Sequence, residues 1–242
     1  MGEGIYTKQR VMKKKLDRKF YNRSTLKVAR ELLGKYLVVE KEGEYVSGKI
    51  VETEAYVGPD DPVSHAYRGI TLRNRVMFGD PGYAYVYLTY GMHHCLNFVT
   101  ERKGFPAAVL IRALEPADGI EIMKMRRKTG DPLLGQGLVL KARPEGLNPR
   151  LSLRTGSVDS NEVQPRSEHE DLRSLTNGPA KLCQALGIDR TLNGADLCSD
   201  TIYVEERGNK PTKIASSSRI GVNEGKDKKW RFYIENNKFV SK

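Results

Sequence analysis

Two glutamates and a tyrosine alternate along a strand-like stretch, residues 50–56. The period of two of a β-strand puts Glu52, Glu54 and Tyr56 on one face. The opposite face carries Val51, Thr53 and Ala55. A carboxylate can activate a water molecule and a neighbouring aromatic ring can stack on a planar substrate, so this face is typical of an active-site wall. A solvated strand face with two ordinary glutamates explains the same spacing, because structural carboxylates are common.

A second candidate region is rich in tyrosine, with four of them in residues 83–90. Residues 83–90 and 93–100 predict a hairpin, in which Tyr83, Tyr85 and Tyr87 share a face. Sheet packing explains Tyr83 and Tyr85 best, since cross-strand aromatic pairs stabilise sheets. Tyr90 differs because it stands beside Gly91 at the turn, where a large ring projects outward. An exposed ring on a basic protein can wedge into a base stack.

The histidines and cysteines predict no metal site. His93, His94 and Cys95 are adjacent, so on a strand they point to alternate faces, and no second ligand cluster with zinc spacing follows. The three cysteines are widely spaced and odd in number, which indicates reduced thiols rather than a disulfide framework. His65 lies in a polar loop, where a lone histidine is more often a surface residue. Nucleophile triads, Walker loops and GxGxxG sequences are absent, which disfavours phosphoryl transfer and dinucleotide chemistry.

The charge balance points to a polyanionic partner. The 242 residues include 41 Lys and Arg against 30 Asp and Glu, a formal net charge of +11. Nucleic acid leads, because basic side chains release condensed counterions when they neutralise phosphates; a generically basic surface is the alternative. No apolar run is long enough to cross a bilayer, and the N-terminus lacks the apolar region of a signal peptide. We therefore expect a protein with no membrane role, cytoplasmic in a prokaryote or nuclear in a eukaryote, and a monomer, because no coiled-coil stripe is present.

Several elements are expected to position these residues. The predicted strands are residues 36–40 and 45–56 around a Glu42-Gly43 turn, the hairpin, a buried strand at 107–114, and short strands at 201–205 and 230–234. The predicted helices are residues 25–33, with Ser24 as N-cap and Gly34 as stop, residues 116–128, ended by Gly130, and residues 179–186. A polar loop is expected at 58–78.

The chain is expected to form one compact domain, residues 20–242. Residues 1–19 are strongly basic and poor in core-forming side chains, so they predict a mobile arm. Residues 152–174 are polar and charged and predict a long, mobile surface loop inserted in the domain.

Several long motifs closely resemble the alkyladenine or 3-methyladenine DNA glycosylase family. They are GKIVETEAYVGPDDPVSHAYRG, RNRVMFGDPGYAYVYLTYGMHHCLN, VLIRALEP and NGPAKLCQALGI, in family order, and the resemblance runs over residues 16–233. It implies an α+β fold: a single mixed domain in which helices surround a curved antiparallel sheet and a β-hairpin protrudes into the DNA minor groove.

The resemblance also implies roles for individual residues. Glu54 matches the family's water-activating general base, and Arg112 matches the residue that helps to hold the catalytic water. The residues that enclose the flipped base match Tyr56, His65 and Tyr87, with Asn97 discriminating against the exocyclic amine of guanine. DNA contacts are implied for Tyr90, the intercalating residue, for Met92 at the same hairpin tip, and for Arg73 and Asn74 in a loop that approaches the DNA backbone. No metal or organic cofactor is implied.

The implied function is that of a monofunctional DNA glycosylase acting on double-stranded DNA that contains damaged purines. Such an enzyme is a hydrolase of N-glycosyl bonds, of the 3-methyladenine DNA glycosylase II type, and leaves an abasic site in base excision repair. No lysine is positioned by the resemblance as a Schiff-base nucleophile, so base excision without strand cleavage is expected. Two alternatives stay open: a noncatalytic lesion-binding protein, and an N-glycosyl hydrolase that acts on RNA or nucleosides.

Overall fold

One antiparallel sheet of nine strands organises the chain in the computed structural model, which describes residues 13–129, 172–208 and 210–241. The strands are β1 (Lys14–Lys15), β2 (Tyr36–Lys41), β3 (Glu44–Val57), β4 (Ala84–Thr89), β5 (His93–Val99), β6 (Ala107–Asp118), β7 (Ile202–Glu206), β8 (Ile214–Ser217) and β9 (Arg231–Ile234). The helices are α1 (Arg18–Tyr21), α2 (Thr25–Leu32), α3 (Ile120–Thr129) and α4 (Pro179–Leu186), with 3-10 turns at Arg75–Phe78 and Arg190–Leu192. The sheet is open, and the expected α+β class with one antiparallel sheet is confirmed.

The strands follow the order β1-β7-β2-β3-β6-β5-β4, and β9 pairs with both β3 and β8. The β2–β3 hairpin turns at Glu42-Gly43, as predicted, and both residues have positive φ angles of 55° and 81°. Such a turn has the backbone twist that adjacent antiparallel strands require, and glycine adopts it without strain.

The long strand β3 changes its partner halfway along its length. Its first part pairs with β2, residues 52–54 pair with β9, and its other edge pairs with β6 from Ser47 to Val57. Irregularities in the β3–β6 register fall between Ile50 and Glu52 and between Glu52 and Thr53. Because of this bulge, Val51 does not share the environment of Ala55: it packs with Ala113 and Phe239, whereas Ala55 belongs to the main core. The prediction of strict alternation was wrong at Val51.

Helices cover one side of this sheet. Helix α2 packs on β3, and α4 packs on β5 and β6. The main apolar cluster includes Leu32 of α2 and Leu186 of α4 with Ile50, Ile111 and Leu114 of the central strands, all fully buried. Each such side chain contributes about 1.5–3 kcal/mol by leaving water. The core thus fixes β3 and β6, the two strands that carry Glu54 and Arg112.

The helix predicted from residue 116 was wrong at its start. Strand β6 continues to Asp118, with Pro116 opposite Gly48, and α3 begins only at Ile120. Proline is tolerated there because the register shifts at this point of the ladder, and Gly119, with a φ of 72°, then ends the strand. Pairing with β3 outweighed the helix-start signal of the proline.

Other boundaries also differ from expectation. Residues 1–12 of the expected arm and Gly130 lie outside the described residues, but the sheet already includes β1, where Lys15 donates to the carbonyl of Ser199 over 2.9 Å. The fold therefore begins before residue 20. Of the expected insert 152–174, the structure describes only residues 172–174, which are helical. Strand β8 was not predicted. No helix within the described ranges is long and apolar enough to cross a membrane.

Candidate active site

A cavity of about 430 Å³ opens between β4, β5, β6 and two loops. Its size falls within the range of about 300–1,000 Å³ that is usual for small-ligand pockets. Its lining includes Tyr56, His65, Tyr87, Asn97 and Arg112, with Tyr90 at the same opening. Six residues from four strands, a loop and a hairpin tip are thus brought together around one space.

Glu54 lies behind the wall of this cavity and is fully buried. Its Oε1 accepts the backbone N–H of Ile220 over 2.7 Å and lies 3.3 Å from Nη1 of Arg112. Its Oε2 accepts the hydroxyl of Tyr56 over 3.0 Å. A carboxylate has about four acceptor positions, so these three donors leave one position on Oε2. The three residues that hold Glu54 all line the cavity.

Tyr56 is held as a neutral hydrogen-bond donor. Burial raises the pKa of its hydroxyl well above the ordinary range, and the negative charge of Glu54 raises it further. The guanidinium of Arg219 lies 4.7 Å from the centre of the Tyr56 ring. The ring therefore has a cation on one face, which favours this orientation of the ring.

An aromatic wall faces the cavity from β4 and the loop before it. The His65 and Tyr87 rings meet edge to face with centroids 4.5 Å apart, and Tyr85 and Tyr87 are 5.3 Å apart. His65 Nδ1 and the Tyr85 hydroxyl lie 3.0 Å apart. Burial lowers the pKa of His65, and the positive charge of Arg73 lowers it further, which favours a neutral imidazole. As predicted, Tyr83 and Tyr85 pack together, and Tyr87 belongs to the same cluster.

Asn97 contributes a carboxamide to the floor of the cavity. The residue is buried, and Nδ2 donates to the backbone carbonyl of Tyr85 over 3.2 Å. Cys95, two residues earlier on β5, also lines the cavity, and burial raises the pKa of its thiol. Within the described residues, no three His, Cys, Asp or Glu side chains are grouped so that they could hold a metal ion.

The hairpin tip is the most exposed apolar part of the site. Tyr90 is 89% exposed and Met92 is 71% exposed. The turn is held by the backbone: Met92 N–H donates to the Thr89 carbonyl over 3.2 Å, and Tyr90 and Gly91 have φ angles of 51° and 73°. A tyrosine with positive φ is uncommon, so the tip presents this ring at a small conformational cost.

The two loop residues expected to approach DNA differ in exposure. Arg73 donates through Nη2 to the Leu88 carbonyl over 3.1 Å, and its guanidinium lies 5.0 Å from the Tyr87 ring centre. Asn74 is only 1% exposed, and its Nδ2 donates to the carbonyls of His65 and Gly69. With its amide used to fold the loop, Asn74 is placed to orient His65 rather than to contact a partner directly.

Sequence reasoning missed the segment that closes the cavity from the C-terminal side. Arg219 and Asp61 form a forked ion pair, 2.5 and 2.7 Å, with both side chains fully buried. Arg219 also donates to the Ala55 carbonyl, and it precedes Ile220, whose N–H binds Glu54. No local pattern signals this pair, because its members are 158 residues apart.

Glu52 shares the predicted active-site face with Glu54, but the sequence assigned it no role of its own. It is fully buried and bound to Arg112, which it shares with Glu54. Arg231 of β9 also binds it, through Nε over 2.6 Å. The carboxylate of Glu54 therefore belongs to a larger charged network.

Comparison with known proteins gives consistent matches. The family model for methylpurine-DNA glycosylase matches residues 19–238. A relative from Desulfitobacterium hafniense is 44% identical over 232 residues, covering 94% of this chain and 98% of the relative. One from Methanocella arvoryzae is 47% identical over 231 residues, with 94% and 96% covered, and one from Carboxydothermus hydrogenoformans is 47% identical over 229 residues, with 94% and 98% covered. All three relatives carry the provisional name of 3-methyladenine DNA glycosylase.

Proposed function

The chain belongs to the methylpurine-DNA glycosylase family, and on that premise we propose that it excises alkylated purines from duplex DNA as a monofunctional glycosylase. The observation that carries the proposal is the buried carboxylate of Glu54, held by Ile220, Tyr56 and Arg112 at the wall of an aromatic cavity. Such a site combines a group that activates water with surfaces that bind a planar base. We also propose that it acts as a monomer on cytoplasmic DNA.

The substrate has to leave the helix before it can enter this cavity. Extrusion of a nucleotide costs a few kcal/mol, and less where the base is damaged or mispaired. Tyr56, His65 and Tyr87 would enclose the flipped purine, with stacking worth roughly 1–3 kcal/mol per base. An N-alkylated purine such as 3-methyladenine carries a positive charge, so its ring is attracted to tyrosine faces. A neutral His65 avoids repelling that charge.

Hydrolysis needs a base for water and an anion beside the sugar. Water binds at the remaining acceptor position of Glu54, gives its proton to the carboxylate, and forms the new bond to C1′. The glycosidic bond breaks and its electron pair leaves with the purine, whose positive charge is thereby neutralised. The carboxylate stabilises the oxocarbenium-like sugar in the transition state. The products are the free base and an abasic site, the starting point of base excision repair.

Strand cleavage is not part of this proposal. A lyase step needs an amine that forms a Schiff base with the sugar. The described residues that line the cavity include no lysine.

Selection among purines is assigned to Asn97. Its carboxamide is fixed by the bond to the Tyr85 carbonyl and lines the cavity. A fixed amide in contact with the purine edge would collide with the 2-amino group of guanine, which adenine and hypoxanthine lack.

The DNA-binding face would surround the cavity opening. Of the six large apolar side chains that are exposed within the described residues, five lie on two segments, residues 67–72 and the hairpin tip, and Tyr90 of the tip lines the cavity. Exposed apolar clusters mark interaction surfaces. Tyr90 would fill the gap left by the flipped nucleotide and Met92 would contact the adjacent step in the minor groove. Arg73 would contact the DNA backbone, to which the net charge of +11 adds attraction.

Single-turnover excision on duplex oligonucleotides with one 3-methyladenine or one hypoxanthine tests the function. We expect the wild type to release the base, and Glu54→Gln to bind the same duplex but to excise at least about a hundredfold more slowly. Strands should break only after alkali or heat. A wild type that binds but releases neither base would favour a noncatalytic lesion-binding protein. Preference for RNA or free nucleosides would favour the other alternative.

A further inference from the structure

Glu52 is a second carboxylate buried beside the proposed general base, and the proposed reaction does not use it. It is fully buried on β3. Its Oε1 accepts Nε of Arg112 over 3.0 Å, Nε of Arg231 over 2.6 Å and the hydroxyl of Ser241 over 2.8 Å. Its Oε2 accepts the backbone N–H of Ser241 over 2.6 Å. A buried carboxylate with four donors is well supplied with hydrogen bonds, which is the condition under which burial of a charge is tolerated.

Arg112 is divided between two carboxylates. Its Nε is bonded to Glu52, and its Nη1 lies 3.3 Å from Oε1 of Glu54. The β3–β6 bulge brings this about, because Glu52 pairs with Ala113 and Thr53 with Ile111, so that Arg112 is the extra residue of β6. Arg112 thus lies alongside two alternate residues of β3 rather than opposite one.

An arginine guanidinium with no other partner commonly binds a carboxylate through two parallel N–H donors. If Arg112 bound Glu54 in that way, it would neutralise the negative charge that should face the cationic sugar and would occupy acceptor positions needed by water. The bond to Glu52 keeps Nε away from Glu54. Arg231 supplies the second positive charge, so that two carboxylates are matched by two guanidiniums.

We propose that Glu52 is a positioning residue, which acts through Arg112 to keep Glu54 only partly neutralised, and that the buried main chain of Ser241 holds Glu52 for this task. The inference rests on the proposed glycosylase function. It extends the active site to β9 and to residue 241, neither of which lines the cavity.

The test is a double-mutant cycle of Glu52→Gln and Arg112→Gln, measured by single-turnover excision at saturating enzyme, with lesion binding and urea denaturation in parallel. Glu52→Gln should slow excision about ten- to hundredfold, the usual effect of a misplaced catalytic group, while lesion binding changes less than about twofold. In the Arg112→Gln background, Glu52→Gln should slow excision no further, because Glu52 acts through Arg112.

Glu115→Gln is the matched control. Glu115 on β6 binds Lys49 and Asn237 over 2.8 and 2.9 Å, so it holds the same C-terminal region without touching Arg112. The Glu115→Gln variant should excise the damaged base at the wild-type rate. Excision by the wild type tests the proposed function, whereas the ratio of the Glu52→Gln rate to the wild-type rate tests the role of Glu52. Failure of the function and failure of this inference are therefore distinguishable. Losses that multiply in the double variant, or an unchanged rate in Glu52→Gln, would overturn the role of Glu52.

Discussion

The Glu54 network and the hairpin tip differ in what holds them. Glu52 and Glu54 are fully buried, and each has three or four donors, most of them from distant parts of the chain. Tyr90 and Met92 are exposed at a three-residue turn and are held by local backbone bonds. Charges that must keep one geometry are fixed inside the protein, whereas apolar rings that await a partner are left for that partner to cover.

This contrast separates stability from recognition. Changes in the buried network should alter the free energy of unfolding, because removal of one member leaves another buried and unpaired. Changes at the tip should alter DNA affinity and leave unfolding nearly unchanged.

The largest effect is expected for the ion pair behind Tyr56. Arg219→Met should lower the free energy of unfolding by about 3–5 kcal/mol, because Asp61 is left as a buried, uncompensated charge. Urea denaturation measures this, and the double variant Arg219→Met with Asp61→Asn should recover part of the loss. If Arg219→Met lowers the free energy of unfolding by less than about 1 kcal/mol, water reaches Asp61. The buried network would then not differ from the exposed tip in its contribution to stability.

The next effect belongs to the tip. Tyr90→Ala should weaken binding to lesion-bearing duplex by about 1–3 kcal/mol, the scale of base–aromatic stacking. Unfolding should change by less than about 0.5 kcal/mol, since the ring is 89% exposed. Tyr90→Phe retains the ring and should bind like the wild type. Equal binding by Tyr90→Ala would remove the ring from the DNA interface.

These two regions were not equally predictable from the sequence. The hairpin around Tyr90 could be predicted because its signals are local: alternating tyrosines that lead into a glycine turn, followed by a second strand-like run. The β2–β3 turn at Glu42-Gly43, the central strand β6 and helix α2 followed from equally local patterns. Even so, the helix predicted from Pro116 failed where a strand pairing outweighed a local signal.

The buried network could be predicted only in part. Alternation along β3 placed Glu52 with Glu54, and the family resemblance added Arg112. Nothing local indicated that Ile220 and Ser241 would complete the site, since they lie 166 and 189 residues from the glutamates they bind. The β-bulge that places Arg112 between two carboxylates also cannot be predicted from the alternation of side chains along a strand. Long-range backbone donors leave no pattern in side-chain types.

A smaller effect is expected at the turn itself. Gly91 has a φ of 73° with no atom within 4 Å of an added Cβ, so Gly91→Ala should lower the free energy of unfolding by about 1 kcal/mol through the backbone alone. Gly104→Ala is the matched control, with a φ of 85° and equally open space. Both should lose similar stability by thermal melting, and only Gly91→Ala should weaken lesion binding. If Gly91→Ala and Gly104→Ala weaken lesion binding equally, the turn has no specific role in DNA recognition.

The smallest effect is a pH dependence at His65, which lies between the two regions. Its folded-state pKa is lowered by burial and by Arg73, so the unfolded chain takes up a proton first as pH falls. The stability contributed by neutral His65 is therefore present above the unfolded pKa of about 6.5 and is lost as pH falls through the lower folded pKa. The free energy of unfolding of the wild type should fall, relative to His65→Gln, in that window. If the difference in the free energy of unfolding between wild type and His65→Gln stays constant from pH 7.5 to 5, His65 does not contribute this pH dependence.

The same proton should discriminate between substrates. A protonated His65 in the aromatic wall repels a cationic alkylated purine but not a neutral hypoxanthine. Binding is best measured with Glu54→Gln, which keeps the wall and retains the substrate. Affinity for 3-methyladenine duplex should then fall more steeply than affinity for hypoxanthine duplex as the pH falls through the lowered folded-state pKa of His65, and His65→Gln should abolish the difference. If both affinities fall in parallel, the charge of His65 acts on the fold and not on the base.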